Sequence, residues 1–189
     1  MRRREKFTTH SIHHIYNRSI AKFRVFNSPP ECARMYQLVQ YYQFTGQRDP
    51  FSDFIRMGHG RPRDFETRLH IASGQQRWAK VAEIVAWCLI PNHYHFIVRQ
   101  LKEGGIEGCL RRSSDAYTRY LNLRRNRRGP LWETRMQNKR IIDSAHLATV
   151  VAYVHGNPVK HRLVKEAKEW PYSSIHGFDE IGLQTLEIK

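Results

Sequence analysis

Two hydrophobic periods alternate along this chain, and the switches between them mark its elements. From Val81, VAEIVAWCLI is a strand-length apolar run, Pro91-Asn92 is a turn signal and HYHFIVR is a second run, which together predict a hairpin. Near the start, HHIYNRSIAKFRVF is alternating and β-branched with a break at residues 17–19, and it predicts two short strand segments. After Pro29-Pro30, Met35, Leu38, Val39 and Tyr42 recur at helical spacing. A longer helical stripe carries Ile106, Cys109, Leu110, Ser113, Tyr117, Tyr120 and Leu121, and predicts a helix from about Gly105 to Arg124. The segment LWETRMQNKRII reads as another strand. Ser144 is the expected cap of a last helix that buries Leu147, Val150, Val151 and Val154 and is expected to end near Asn157, because Pro158 follows.

Strand, helix, strand, strand, helix, strand and a further helix is the order of an α+β, ferredoxin-like antiparallel sheet covered by helices. One catalytic-size domain is expected over residues 1–160. Glycines and prolines break residues 44–76 into an irregular insertion, and residues 161–189, which contain WPYSS, form a C-terminal appendage.

Charge changes the picture. The 189 residues hold 32 Lys and Arg against 17 Asp and Glu, a net charge of +15, which points to a polyanionic partner, nucleic acid first. With 40% hydrophobic and 12% aromatic residues, that charge sits on a folded body rather than a disordered tail. Residues 99–140 alone hold twelve Lys and Arg and four acids. There Arg111, Arg112, Arg119, Arg124, Arg125, Arg127 and Arg128 are interleaved with Tyr117, Tyr120 and Trp132, a mixture suited to tracking a phosphate backbone and stacking unpaired bases; part of the run is also what a solvated helix face looks like. Three scattered cysteines, Cys32, Cys88 and Cys109, suggest neither a disulfide framework nor a zinc site and fit a reducing cytosol. No apolar run suggests secretion or a membrane span.

The candidate chemistry lies in two places. On a strand, His93 and His95 project to one face, an arrangement that can hold a divalent metal with open positions left over, and that also occurs as two half-buried, hydrogen-bonded histidines. On the last helix, Tyr153 and Asn157 stand one turn apart. A phenol is a possible nucleophile and an amide oxygen suits Mg²⁺ or Mn²⁺, although a tyrosine and a terminal asparagine are also common at helix ends. Tyr120 is a rival nucleophile whose place on the apolar stripe favours packing. His10, His13, His14, His155 and His161 are expected to be bystanders, and His146, two turns from Tyr153, at most a phosphate contact.

Four ordered motifs, LIPNHYHFIVRQLKEGGI, SSDAYTRYLNLRRNRRGPLWETR, AYVHGNPVKHRLV and WPYSS, resemble the HUH single-tyrosine transposases, specifically the REP-associated tyrosine transposase group, over most of the chain. The resemblance implies His93, His95 and Asn157 as metal ligands, Tyr153 on the C-terminal helix as the catalytic nucleophile, and Mg²⁺ or Mn²⁺ as cofactor. It implies cleavage and rejoining of single-stranded or hairpin DNA through a 5′-phosphotyrosine, in a cytoplasmic, nucleoid-associated monomer or homodimer. Two readings of other classes remain: a catalytically idle nucleic-acid-binding protein with the same fold, and a histidine-ligated hydrolase of another polyanion. Gly156, where the family more often has an apolar residue, is expected to loosen the helix end that carries Asn157, and residues 43–76 are longer than the family's minimal version.

Overall fold

The computed structural model describes residues 5–47, 49–56 and 64–177. Its centre is a four-stranded antiparallel sheet in the order β4-β5-β1-β6, built from β1 (Ile12–Arg18), β4 (Ala82–Ile90), β5 (His93–Gln100) and β6 (Gln137–Ile141). Counted along the chain, these are strands two, three, one and four, the order expected of a ferredoxin-like sheet.

Side-chain alternation sorts the sheet into two faces. Ile15, Tyr94, Phe96 and Val98 belong to the larger core under α1 (Pro29–Tyr42) and α4 (Gly105–Arg124), which adds Met35, Leu38, Leu110, Tyr117 and Leu121. Ile12, Ile97, Ala86, Cys88 and Ile141 face the other way and pack against Leu147, Val151 and Val154 of α5 (Ser144–Lys160). The α5 face of β1 and β5 therefore also carries His14, Tyr16, His93 and His95.

Several elements differ from expectation. Only the first of the two N-terminal strand segments forms. Beyond Arg18 the chain turns through Ala21 and Lys22 at φ of 49° and 56°, and the N–H groups of Val25 and Phe26 bond to the Pro91 carbonyl instead of a ladder. In the stretch read as the last strand, Gln137–Ile141 forms the strand, and Trp132 adds an isolated antiparallel bridge to Ser19. The cap of α5 is Asp143, whose carboxylate accepts the His146 N–H at 2.7 Å, so Ser144 is the first helical residue. Pro158 does not end α5, which continues to Lys160. Gly156 likewise leaves the helix intact.

The described part of the insertion, residues 44–47, 49–56 and 64–76, is more ordered than its glycines suggest, and the remainder lies outside the described residues. A two-stranded ribbon, β2 (Phe44–Thr45) with β3 (Ala79–Lys80), and two short helices, α2 (Phe51–Arg56) and α3 (Phe65–Ser73), close over an aromatic cluster. Tyr41 meets Phe51 and Trp78 with ring centroids 5.5 Å apart in each case. Gly46 has φ of 90°, and a Cβ there would lie 1.8 Å from the Arg77 carbonyl oxygen, so this approach requires glycine.

The WPYSS segment runs along the outer side of β4. Leu89 N donates to the Tyr172 carbonyl at 2.9 Å, Trp170 Nε1 to the Leu89 carbonyl at 2.8 Å, and Trp87 N to Ser174 Oγ at 2.9 Å. On the opposite flank, Asn138 Nδ2 donates to the Glu5 carbonyl and Arg140 N to the Glu5 carboxylate. The appendage expected to end at Lys189 is described only to Gly177. Cys32, Cys88 and Cys109 are free and buried, and no helix among the described residues is long and apolar enough to cross a membrane.

Candidate functional site

Alongside α5, the sheet opens into a cavity of about 840 Å³ lined by His14, Tyr16 and Arg18 from β1, His93 and His95 from β5, Gln137 and Lys139 from β6, and His146, Tyr153 and Lys160 from α5. His161, just past α5, joins them. Register explains the gathering: Tyr16 pairs with His95 and Gln137, Arg18 with His93, and His14 with Lys139, so one pleat of three strands aims these side chains together.

The histidine pair is buried and uncharged. Burial pushes the His93 imidazole down to about 3, helped by His161, Arg18 and Lys160. His95 is pushed down to about 2 by burial, then by His14, His93, His161 and Lys160. His93 Nδ1 lies 2.7 Å from Asn92 Oδ1; an amide oxygen only accepts, so Nδ1 carries the proton and Nε2 keeps its lone pair. His95 Nδ1 lies 2.9 Å from His14 Nε2, and its own Nε2 is buried without a partner.

Tyr153 is 43% exposed and stands at the cavity wall, its ring edge-on to His14 and His95 with centroids 5.8 and 5.7 Å away. The Lys160 ammonium sits 5.0 Å from the Tyr153 ring centroid. Asn157, one turn on, is 1% exposed and donates from Nδ2 to the Tyr153 carbonyl at 2.8 Å, leaving Oδ1 buried and unpaired. It does not line the cavity itself. Among the described residues no three His, Cys, Asp or Glu side chains group as a metal site. Two neutral imidazoles and an amide oxygen with an open valence fit a divalent cation chemically.

Other expected site residues fall elsewhere. Tyr120 is packed on α4, across the sheet from the histidines, under the Arg34 guanidinium 4.9 Å from its ring centroid. Tyr117 is fully buried, with its hydroxyl donating to the Val25 carbonyl, so it offers no face to a base. Trp132 is half-buried, its ring centroid 5.2 Å from that of Tyr94, and it edges a second cavity of about 380 Å³ that shares Asn17 and Thr134 with the first.

The arginine cluster divides. Arg125 binds the Glu31 carboxylate and the Arg24 carbonyl, Arg127 binds Asn122 and the Pro130 carbonyl, and Arg112 covers the Tyr42 ring at 4.3 Å, so these three serve the fold. Arg111, Arg119, Arg124 and Arg128 remain exposed, Arg111 near Asp115 and Arg124 near Glu31, both at 3.8 Å. The cavity's own cations, Arg18, Lys139 and Lys160, escaped sequence reasoning, as did His14 and His161, taken there as bystanders. Alternation on β1 read in register with β5 and β6 could have found His14, Arg18 and Lys139, and continuing α5 past Pro158 could have found Lys160 and His161.

No family model matches the chain. A Haemophilus influenzae protein provisionally named a REP-associated tyrosine transposase is 34% identical over 105 residues, 50% of this chain and 59% of that protein. The REP-associated tyrosine transposase of Escherichia coli K12 is 33% identical over 107 residues, 56% of this chain and 61% of that protein. The resemblance is to the REP-associated tyrosine transposases. This chain spans less than two thirds of the length of these curated relatives. A solved structure of a REP-associated tyrosine transposase bound to a REP hairpin aligns with a TM-score of 0.62 at 18% identity, covering 98% of this chain and 89% of that one, which shows a shared fold.

Proposed function

We propose that this protein is a metal-dependent DNA strand transferase of the REP-associated tyrosine transposase kind, acting on single-stranded, hairpin-forming DNA. The observation that carries this reading is the half-exposed Tyr153 phenol standing over the His14–His95 pair at the wall of a cavity that also holds His93, Arg18 and Lys160. A nucleophile, two imidazole donors and several cations around one opening suit a phosphodiester better than a neutral substrate.

His93 and His95, with the Asn157 amide oxygen, would hold Mg²⁺ or Mn²⁺, which when bound supplies Lewis-acid polarisation of the scissile phosphate. Arg18, Lys139 and Lys160 bind and orient the phosphates on either side. The Tyr153 hydroxyl attacks phosphorus in line and gives up its proton to solvent. The P–O3′ bond breaks, the departing 3′ oxygen takes a proton, and a 5′-phosphotyrosine remains. Rejoining reverses these changes with another 3′-OH, without nucleotide hydrolysis. The closeness of Tyr153 to His95 within one chain supports attack in the tyrosine's own subunit.

The test is to incubate the protein with end-labelled REP-like hairpins and single strands in Mg²⁺ or Mn²⁺ and to look for a denaturation-resistant protein–DNA adduct. An adduct that disappears with EDTA is the expected result. Tight hairpin binding with no adduct in any metal favours the catalytically idle DNA-binding protein. Strand hydrolysis with no trapped adduct favours a histidine-ligated hydrolase.

A further inference from the structure

His14 and His95 are diagonal neighbours on one face of two paired strands, since Tyr16 stands opposite His95 and Ile97 opposite His14. Their rings are stacked with centroids 5.1 Å apart and planes 23° apart, and one nitrogen of each is at hydrogen-bond distance, His14 Nε2 to His95 Nδ1 at 2.9 Å. Between two neutral imidazoles such a bond contains one proton, so one ring donates and the other accepts. If His14 donated, His95 would carry its own proton on Nε2, a buried N–H with no acceptor. If His95 donates from Nδ1, its Nε2 presents a bare lone pair.

We propose that His14 is a positioning residue: its Nε2 accepts the Nδ1–H of His95 and holds that ring in the tautomer whose Nε2 is free to bind a divalent cation. This rests on the metal-binding reading of the cavity given above. Two further observations support it. Asn92 Oδ1 holds His93 in the same way, through Nδ1, so both imidazoles offer the same nitrogen, as a paired ligand set requires. The His14 ring also meets the edge of Tyr153, so one side chain orients the ligand ring and backs the phenol. A leucine at position 14 would fill the space without offering an acceptor; a glutamine would return a carbonyl oxygen.

The test begins in metal-free protein, where histidine ¹⁵N shifts report which nitrogen of His95 is protonated. Protonated Nδ1 and bare Nε2 are expected; a proton on Nε2 overturns the proposal. Mn²⁺ titrations without DNA then compare variants. His14→Leu is expected to lose about 10- to 100-fold in Mn²⁺ affinity, and His14→Gln to recover most of it, a rescue that simple filling of space would not produce. A folded His14→Leu with unchanged Mn²⁺ affinity also overturns it. If His14→Leu fails to fold, the wild-type nitrogen shifts decide alone. Wild-type protein that takes up no Mn²⁺ removes the metal reading, while the shifts still decide what His14 does.

Discussion

Glu31 and Arg125 form a two-point ion pair that ties the first turn of α1 to the end of α4: Arg125 Nε donates to Oε1 at 2.9 Å and Nη2 to Oε2 at 2.7 Å. The Glu31 side chain is 4% exposed and that of Arg125 22%. Burial works to raise the Glu31 carboxyl, but hydrogen bonds from Arg125 and the Asn27 N–H, with the Arg125 charge, prevail and hold it below its usual range. Removing one partner of such a pair strands the other, so Arg125→Ala and Glu31→Gln are each expected to cost about 3 kcal/mol. Urea unfolding measures this, and a loss below that of a typical surface substitution would deny the pair its structural role.

Tyr153→Phe removes only the oxygen proposed to attack and leaves the ring against His14 and His95. Cleavage of labelled hairpins is expected to vanish while hairpin affinity, read by fluorescence anisotropy, stays close to wild type. Tyr120→Phe is expected to cleave normally. The reverse pattern would move the chemistry to the other face of the sheet.

Phosphate contacts are expected from the cavity cations rather than from the whole arginine run. Plotted as log affinity against log salt, binding to single-stranded DNA falls with a slope of about 0.7 per phosphate neutralised. Replacing Arg18, Lys139 and Lys160 with Ala is expected to flatten that slope by about two units if each meets one phosphate. Arg127→Ala is expected to leave the slope unchanged, because its guanidinium is engaged with Asn122 and Pro130. Equal slopes in the triple variant and the wild type would place the DNA elsewhere.

In the metal-free protein, burial pushes His14 down to about 4, with Lys139 and His146 adding to the effect, and His93 and His95 lie lower still. The unfolded chain takes up protons near the ordinary value of 6.5, so below that pH it binds protons that the folded state does not. The contribution of these histidines is therefore complete above about 6.5 and is lost as pH falls, toward about 4 for His14 and further, toward about 3 and 2, for His93 and His95, by roughly 1.4 kcal/mol per pH unit for each ring. Urea midpoints measured between pH 7 and 4.5 should drop less steeply for a His93→Gln, His95→Gln variant. Parallel curves would show that these rings do not set the acid limit.

What could be read from residue order was what depends on neighbours in the chain. The hairpin over 82–100 and the helix Gly105–Arg124 follow from strong local periods, and the HxH spacing alone puts His93 and His95 on one face. What could not be read depends on pairing across long separations. His14 meets His95 only through strand register, 81 residues away. Arg125 looked available to DNA because its carboxylate partner stands 94 residues earlier. Tyr117 carried the same ambiguity, since an aromatic on a basic helix reads alike whether it stacks on bases or fills a core. Asp143 and Ser144 are both good caps, and only backbone geometry chooses between them.

The segments lying against the two flanks of the sheet bear on how the protein meets other copies of itself. Along β4 the backbone is answered by Gln43, by the register shift between Ile84 and Ala86, and by the WPYSS stretch; β6 is met by Glu5. An edge treated in this way gives an approaching strand few unpaired groups to template on. Strongly basic molecules crowded onto one nucleic acid are brought to high local concentration, where open edges would zip into aggregates. Among the described residues both flanks of the sheet are thus partly covered, and the opening beside Tyr153 is where the proposed function has an extended chain, of nucleotides rather than of amino acids, received.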